Sequence, residues 1–274
     1  MPRGLDGVNL ENMELTPYET IKEKLEARYE AQGFSKALFR NDYSLLLRVG
    51  VHPQLATTED LQRTIMTAKA ASTKGNYASR LQSIFKSLKK MGLIDNDPIT
   101  DLPKVRKGRG IPHPLTPNEA RMLMEEADYP YRDWFIIGCC AGLRAMEVCN
   151  LRGVDLEQTS NGYILRVSGK GGTDLQIPVA QIVADTILKY KTNGKIFKVT
   201  PNRLSKLASI EMKRLGIPKK TFHSCRHYFA TMMLQKSGGD LLAVRDLMRH
   251  SSVATTQVYT QLASDRTRSL VNMI

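Results

Sequence analysis

The chain has 274 residues, of which 42% are hydrophobic, so it is long enough for one large domain or two domains of ordinary size with packed cores. No stretch approaches the roughly 18 uncharged apolar residues of a membrane-spanning helix, and residues 1–6 lack the apolar run of a signal peptide. A cytoplasmic protein is therefore expected. The cysteines lack metal-ligand spacing and are predicted to be buried free thiols: Cys139, Cys140, Cys149 and Cys225.

The net charge of +13 is unevenly distributed along the chain. Residues 1–103 carry 14 basic and 13 acidic side chains, while residues 104–274 carry 26 basic and 14 acidic ones. Within the first part, the segment from Arg63 to Lys90 has seven basic residues and no acidic one. A one-sided positive surface attracts polyanions, so nucleic acid is the expected partner. The alternative at this point is that the charge only keeps the protein soluble.

Residues 15–104 are predicted to form a helical domain. Gly33 separates two segments with helical spacing of apolar residues, and a further helix is predicted to open at Ser72 or Thr73 and to end at Gly92. Basic side chains on the outer face of this last helix are candidates for contacts with DNA: Lys74, Arg80 and Lys86.

Residues 105–112 are predicted to be a basic linker between two domains. The segment is rich in proline, glycine and positive charge, a composition that disfavours both helix and strand. We expect it to run along a phosphate backbone, and its candidate DNA contacts, with the residue just before it, are Lys104, Arg106, Lys107 and Arg109.

Residues 113–274 are predicted to form a second domain that is mainly α-helical with a small antiparallel β-sheet. A capping box over residues 116–119 starts its first helix, and residues 134–151 are a long, mostly apolar helical run. Residues 162–168 and 175–179 are predicted strands of a hairpin with a glycine-rich tip.

Arg144 and Lys170 are the first candidates for chemistry. Arg144 lies in an apolar run and needs a partner or a ligand, and on a helix it would share a face with Glu147. Lys170 lies at the hairpin tip, where the flanking glycines allow the backbone to approach another surface. Taken singly, Arg144 is more often a structural ion pair, and a lysine at a loop tip is usually only solvated.

A second group of candidates lies near the end of the chain. His223 and Arg226 stand three residues apart near the start of a predicted helix, a place that favours phosphate. His250 follows a further helix, and Tyr259 lies two turns into the next one. A single tyrosine is usually core or surface filler, so Tyr259 carries no weight by itself.

Taken together, these segments resemble the tyrosine recombinase family, which includes the phage integrases and the Xer and Cre proteins. The family pattern is an arginine in an A-G-L-R-x-x-E run, a lysine on a β-hairpin, an H-x-x-R motif, and a His or Trp nine residues before a tyrosine. The matching residues are Arg144, Lys170, His223, Arg226, His250 and Tyr259, with Glu147 as the acidic residue that steadies the first arginine. The resemblance covers roughly residues 115–262, and a weaker match over residues 60–104 resembles the family's core-binding domain.

The resemblance implies an enzyme that cleaves and rejoins duplex DNA through a 3′-phosphotyrosyl intermediate and a Holliday junction. Tyr259 would be the nucleophile, while Arg144 and Arg226 would clamp the phosphate oxygens and neutralise the charge of the pentacoordinate state. A phenol has a pKa near 10 and needs help to attack at neutral pH, and His223 is the candidate base.

Lys170 matches the family's general acid, which would protonate the leaving 5′-oxygen, and His250 would hydrogen-bond a phosphate oxygen. The phosphotyrosine keeps the energy of the broken bond, so ATP is not needed, and the arginines supply the positive charge that a metal supplies in other enzymes. No cofactor and no metal are therefore expected, and the sequence contains neither a P-loop nor a carboxylate cluster with metal spacing.

The resemblance also implies partners: duplex DNA with core-type attachment sites, and a homo-tetramer on two duplexes formed from a protein that is monomeric when free in the bacterial host cytoplasm. About 15 residues precede the first predicted helix, too few for the arm-binding domain of large phage integrases. A small phage-type integrase or a Xer-like protein is expected. The apolar residues 270–274 would pack either on their own domain or on a neighbouring subunit.

Two other functions stay open. A type IB topoisomerase shares the covalent chemistry but acts as a monomer on any DNA, and the match over residues 60–104 favours a recombinase over it. A helix-based DNA-binding regulator without catalysis would have no use for Tyr259 or Lys170. A covalent adduct with a nicked duplex would separate the regulator from the enzymes.

Overall fold

The computed structural model describes residues 14–103, 112–168, 174–190, 192–250 and 252–259. The chain divides into two compact units, Met1–Gly110 and Ile111–Ile274, and each has a hydrophobic core of its own. Within the described ranges no helix is both long enough and apolar enough to cross a membrane.

The first unit is helical, as the sequence predicts. Its helices are α1 Tyr18–Ala31, α2 Lys36–Leu47, α3 Thr58–Met66 and α4 Ala71–Lys90. Gly33 has a φ of +70° and separates α1 from α2. Helix α4 begins earlier than predicted, because the carbonyl of Ala70 already accepts the first helical hydrogen bond, from the amide of Lys74. The core is formed by apolar side chains from all four helices, among them Leu25, Leu46, Leu61, Leu81, Phe85 and Leu88.

The second unit begins with α5 Pro117–Glu126, which has the predicted capping box between Thr116 and Glu119. The long helical run predicted over residues 134–151 is wrong in one respect, because it is two helices, α6 Tyr131–Ala141 and α7 Ala145–Asn150. Gly142 separates them with a φ of +62°, and a Cβ atom there would lie only 2.5 Å from the ring of Phe229.

A three-stranded antiparallel sheet follows, with the order β1 Leu156–Thr159, β2 Gly162–Ser168 and β3 Asp174–Val179. The hairpin of β2 and β3 confirms the sequence prediction, and Ser168 pairs with Asp174 at the end next to the connecting loop. Strand β1 was not predicted, since its four residues are partly exposed and show no apolar alternation. Lys170 lies outside the described residues.

The rest of the second unit is helical, with α8 Gln181–Leu188, α9 Pro201–Arg214, α10 Phe222–Lys236, α11 Leu241–Met248 and α12 Val253–Thr256, followed by a 3-10 turn, Gln257–Tyr259. Helix α10 lies closely against α6, because Gly138 leaves space for the side chains of Phe222 and Cys225. All four cysteines are free, and all but the half-buried Cys140 are buried. The fold is thus mainly α with a small antiparallel sheet, as predicted.

Candidate active site

Arg144 lies in the break between α6 and α7 and is the N-cap residue of α7, not part of a continuous helix. Its backbone amide donates to Oε2 of Glu147 at 2.8 Å, and its guanidinium donates to Oε1 at 2.7 Å. The Arg144 side chain keeps 40% of its surface exposed, whereas Glu147 is buried. Arg144 is therefore held from one side and can still bind a ligand with the other.

Arg226 lies on the first turns of α10 and is 1% exposed. Its guanidinium donates to the carbonyls of Gly142 and Met248 and lies 4.0 Å from Glu147. Burial and the positive charges of Arg144 and Arg249 lower the pKa of Arg226 to about 9, so it stays protonated at neutral pH. The side chain joins the turn after α6 to the end of α11.

Arg249 is a residue of this site that the sequence analysis missed. It has a φ of +53°, a left-handed conformation that is uncommon for residues other than glycine, and its side chain is 3% exposed. Its guanidinium donates to Oε2 of Glu147 at 2.9 Å, to the carbonyl of Gly142 at 3.3 Å and to that of Leu247 at 2.9 Å. No sequence pattern distinguishes this arginine from a surface one.

The carboxylate of Glu147 is thus shared by two arginine side chains. Burial acts to raise its pKa, but Arg249 and the hydrogen bonds and charge of Arg144 outweigh burial, and the net shift is downward. Glu147 is therefore ionised at neutral pH. One carboxylate stands against three guanidinium groups, which leaves a surplus of positive charge for an anion.

Tyr259 ends the 3-10 turn and is 3% exposed. Its hydroxyl lies 2.8 Å from Nδ1 of His227, and the two ring centroids are 5.6 Å apart. Burial raises the pKa of Tyr259, while the charges of Arg226 and Arg144 act in the opposite direction. The tyrosine therefore lies in the field of both arginines.

His227 is a second residue that the sequence analysis missed, although it directly follows Arg226. It lies one helical turn after His223 on α10, and the two rings meet edge to face with centroids 4.4 Å apart. Burial and nearby positive groups lower the pKa of His227 to about 4. The helical spacing of the two histidines was the sequence signal that could have found it.

His223 and His250 complete the cluster. His223 is exposed, and burial of its surroundings together with the charges of Arg226 and Arg144 lowers its pKa. His250 faces the Tyr259 ring in a parallel arrangement, with centroids 6.5 Å apart, and its Nδ1 lies 2.9 Å from the hydroxyl oxygen of Thr256. Burial, and then Arg226 and Arg144, lower the pKa of His250 to about 4.

The structure thus places five of the six predicted catalytic residues, and Glu147 with them, in one region of the second unit. In the part of the chain that the structure describes, no group of three His, Cys, Asp or Glu side chains could hold a metal ion. Two arginines next to a tyrosine can bind a phosphate and place a nucleophile beside it.

The residues predicted to contact DNA in the first unit have different surroundings. Lys86 is exposed and Lys74 is half-buried. Arg80 forms an ion pair with the buried Asp42, which also accepts a hydrogen bond from Tyr29 at 2.7 Å, so part of its guanidinium is engaged within the unit. The linker candidates lie outside the described residues: Lys104, Arg106, Lys107 and Arg109.

Comparisons with known proteins place the chain in a family. The model of the phage integrase family matches residues 113–266. A tyrosine recombinase of Pseudothermotoga lettingae is 30% identical over 228 residues, which cover 78% of this chain and 77% of that protein.

Two solved structures share the fold at low identity. The XerH recombinase bound to a palindromic difH substrate, a post-cleavage complex, matches with a TM-score of 0.71 at 20% identity, over 91% of this chain and 84% of that one. A lambda integrase tetramer bound to a Holliday junction matches with a TM-score of 0.67 at 16% identity, over 85% and 77% of the two chains. On the strength of the family match and the recombinase relative, the chain belongs to the phage integrase family and is a tyrosine recombinase.

Proposed function

We propose that this recombinase cleaves and rejoins duplex DNA at specific sites, with Tyr259 as the nucleophile and a 3′-phosphotyrosyl intermediate. The observation that carries the proposal is the placement of Tyr259 in the positive field of Arg144 and Arg226, with its hydroxyl 2.8 Å from His227, the residue that follows Arg226. The pentacoordinate state has one more negative charge than the bound phosphodiester, and two fixed guanidinium groups stabilise that charge. Removing one such donor typically costs a factor of about 10²–10³ in rate.

Each arginine has a different part in this proposal. Arg144 is half-exposed and donates to a phosphate oxygen directly, while Glu147 fixes its orientation from the protein side. Arg226 is buried, so it acts chiefly by its charge and by holding the backbone around the site. His250 donates to a second phosphate oxygen, and Lys170 on the hairpin protonates the leaving 5′-oxygen.

DNA is the proposed partner of both units. Residues 15–104 form a core-type DNA-binding domain, 105–112 the basic linker and 113–274 the catalytic domain. The concentration of positive charge in residues 104–274 supports binding to a phosphate backbone. The XerH and lambda integrase structures, which contain DNA, support the same partner and a tetramer that exchanges strands through a Holliday junction.

Within this activity we propose a phage-type integrase that joins two different attachment sites. A Xer-type enzyme would instead resolve two copies of one site. Sequencing the DNA junctions made in a host cell separates the two activities. An integrase gives junctions whose two halves come from different attachment sites, whereas a resolving enzyme gives junctions whose two halves come from copies of the same site.

The nucleophile is tested with a nicked duplex that traps the covalent intermediate. The native protein should give an adduct that survives a denaturing gel, and Tyr259→Phe, which removes only the attacking oxygen, should give none while still binding the site. Tyr228 on α10 is half-buried, and Tyr228→Phe serves as the matched control, which should keep the adduct. An adduct that persists in Tyr259→Phe would overturn the assignment.

A further inference from the structure

The hydroxyl of Tyr259 has a specific partner in the structure, and that partner is a histidine outside the H-x-x-R pattern. It lies 2.8 Å from Nδ1 of His227, whereas His223 meets His227 through its ring edge. The inference drawn from this contact rests on the proposed role of Tyr259 as the nucleophile. A phenol that attacks phosphorus must lose its proton, so the group that receives the proton is part of the reaction.

We propose that His227, and not His223, accepts the proton of Tyr259. As the bond from the tyrosine oxygen to phosphorus forms, the O–H bond breaks and its proton moves to Nδ1. The bond from phosphorus to the 5′-oxygen breaks, and that oxygen takes a proton from the general acid. In rejoining, a 5′-hydroxyl attacks the phosphotyrosine, and His227 returns its proton to the leaving phenol oxygen.

Burial of the tyrosine is the first argument for an acceptor within the protein. Tyr259 is 3% exposed and packs against Phe229, Val244 and Met248, so bulk water does not reach its ring. Burial also raises the pKa of the phenol, which makes spontaneous ionisation rarer than in solution. The proton must therefore leave through a group that already touches the hydroxyl.

The state of the imidazole is the second argument. His227 is faced by His223 and Arg226 on its own helix, by His113 before α5, and by His250 and Tyr259 beyond α11. Burial, and then the charges of the arginine and of the other three histidines, keep its pKa low, so the ring is neutral at physiological pH and, with its proton on Nε2, Nδ1 is free to accept. A phosphate bound by Arg144 in the field of Arg226 adds negative charge nearby, which raises the basicity of His227 when substrate is present.

The other histidines have different positions. His223 is exposed at the first turn of α10, where it can donate to a phosphate oxygen. His250 has its Nδ1 against the hydroxyl of Thr256. Among the three histidines of this cluster, His227 is therefore the one whose ring nitrogen lies within hydrogen-bond distance of the Tyr259 hydroxyl.

The test measures single-turnover adduct formation on the nicked duplex for His227→Ala, His227→Asn and His223→Asn, between about pH 6 and pH 9. Asparagine places an amide near the position of Nδ1, so it keeps a hydrogen bond to Tyr259 but cannot take the proton. Both His227 variants should react about 10²-fold more slowly than the native protein, with site binding retained. Their rates should rise about tenfold per pH unit, because hydroxide replaces the missing base, while the native rate stays flat near neutral pH.

Several outcomes would overturn the proposal. A native rate in His227→Asn would mean that His227 only orients the hydroxyl, and a pH-dependent loss confined to His223→Asn would place the base on His223. If a thermal melt shows that His227→Ala is not folded at the assay temperature, the rate of His227→Asn alone tests the proposal. Failure of the proposed function is seen separately, as a native protein without an adduct or a Tyr259→Phe variant with one.

Discussion

Arg249 combines an unfavourable backbone conformation with a buried charge. A left-handed residue other than glycine costs about 1–2 kcal/mol, and burying a guanidinium costs more unless it is paired. The ion pair with Glu147 and the two carbonyl acceptors offset these costs. Since Glu147 also binds Arg144, Arg249 fixes the carboxylate that orients a proposed catalytic arginine.

We expect Arg249→Gly to destabilise the protein by about 2 kcal/mol, although glycine suits the backbone there. Relief of the backbone cost is smaller than the cost of leaving Glu147 with one buried partner fewer. Urea unfolding measures the change, and the rate of adduct formation should fall with it.

Arg245→Ala is the matched control for this prediction, because Arg245 pairs with the exposed Asp246 on the same helix. A surface pair of this kind contributes at most about 1 kcal/mol. Adding Glu147→Gln to Arg249→Gly should recover part of the loss, since it removes the uncompensated charge. A glycine variant as stable as the native protein would show that the ion pair adds nothing.

Among single residues, the sequence predicted those whose spacing matches a family pattern. It did not predict His227 and Arg249, whose roles depend on contacts between distant parts of the chain. Arg144, Arg226 and Tyr259 have that spacing. His227 acquires a role only because the 3-10 turn brings Tyr259 to it, 32 residues later in the chain. Arg249 acquires one only because α11 ends beside Glu147, 102 residues away in sequence.

Helix α10 is the element that organises the site, since it carries His223, Arg226 and His227 over little more than one turn. Local patterns predicted this helix, the hairpin and the capping box of α5, because each depends on a few neighbouring residues. The break at Gly142 was not predicted, because a glycine inside an apolar run is compatible with a helix. The close approach of Phe229 requires the break, and that contact is tertiary.

The histidines around this helix predict a pH dependence of stability. The folded-state pKa values of His227 and His250 are lowered to about 4, whereas the unfolded chain takes up protons near pH 6.5. Between these values the unfolded state binds more protons, so stability is fully present above about pH 6.5 and is lost as pH falls towards 4.

The free energy of unfolding, measured with urea, should therefore be lower at about pH 5 than at pH 7.5, by up to about 2 kcal/mol for each of the two histidines. The measurements stop at pH 5, so that protonation of carboxylates contributes little to the change in stability. In the double variant His227→Asn and His250→Asn the dependence should flatten. A native protein equally stable at both pH values would contradict the lowered pKa values of His227 and His250.

The whole molecule consists of two units with separate cores, and strand exchange requires more than one molecule. The proposed tetramer needs a contact between subunits, and the apolar end of the chain is the candidate: Leu270, Val271, Met273 and Ile274. Burying such side chains contributes about 1.5–3 kcal/mol each. These residues lie outside the described ranges, so the contact is a prediction from sequence.

Deleting residues 269–274 should leave binding to a single site nearly intact and weaken the pairing of two sites, because the contact is between subunits. Gel-shift titration measures the first and formation of two-duplex complexes the second. Asn272→Ala, a change at a polar position of the same segment, should affect neither. If the deletion instead lowers the melting temperature of the monomer and leaves pairing unchanged, the segment packs on its own domain.

The hydrogen bonds of Arg226 also relate the site to the order in which the chain is synthesised. This one side chain joins carbonyls that lie 84 residues before it and 22 residues after it in the chain. A growing polypeptide that has not yet supplied Met248 cannot fix the guanidinium in place, however well its earlier helices have formed. The proposed nucleophile, Tyr259, comes later still, so in the proposed function the site is completed only after both segments have been made.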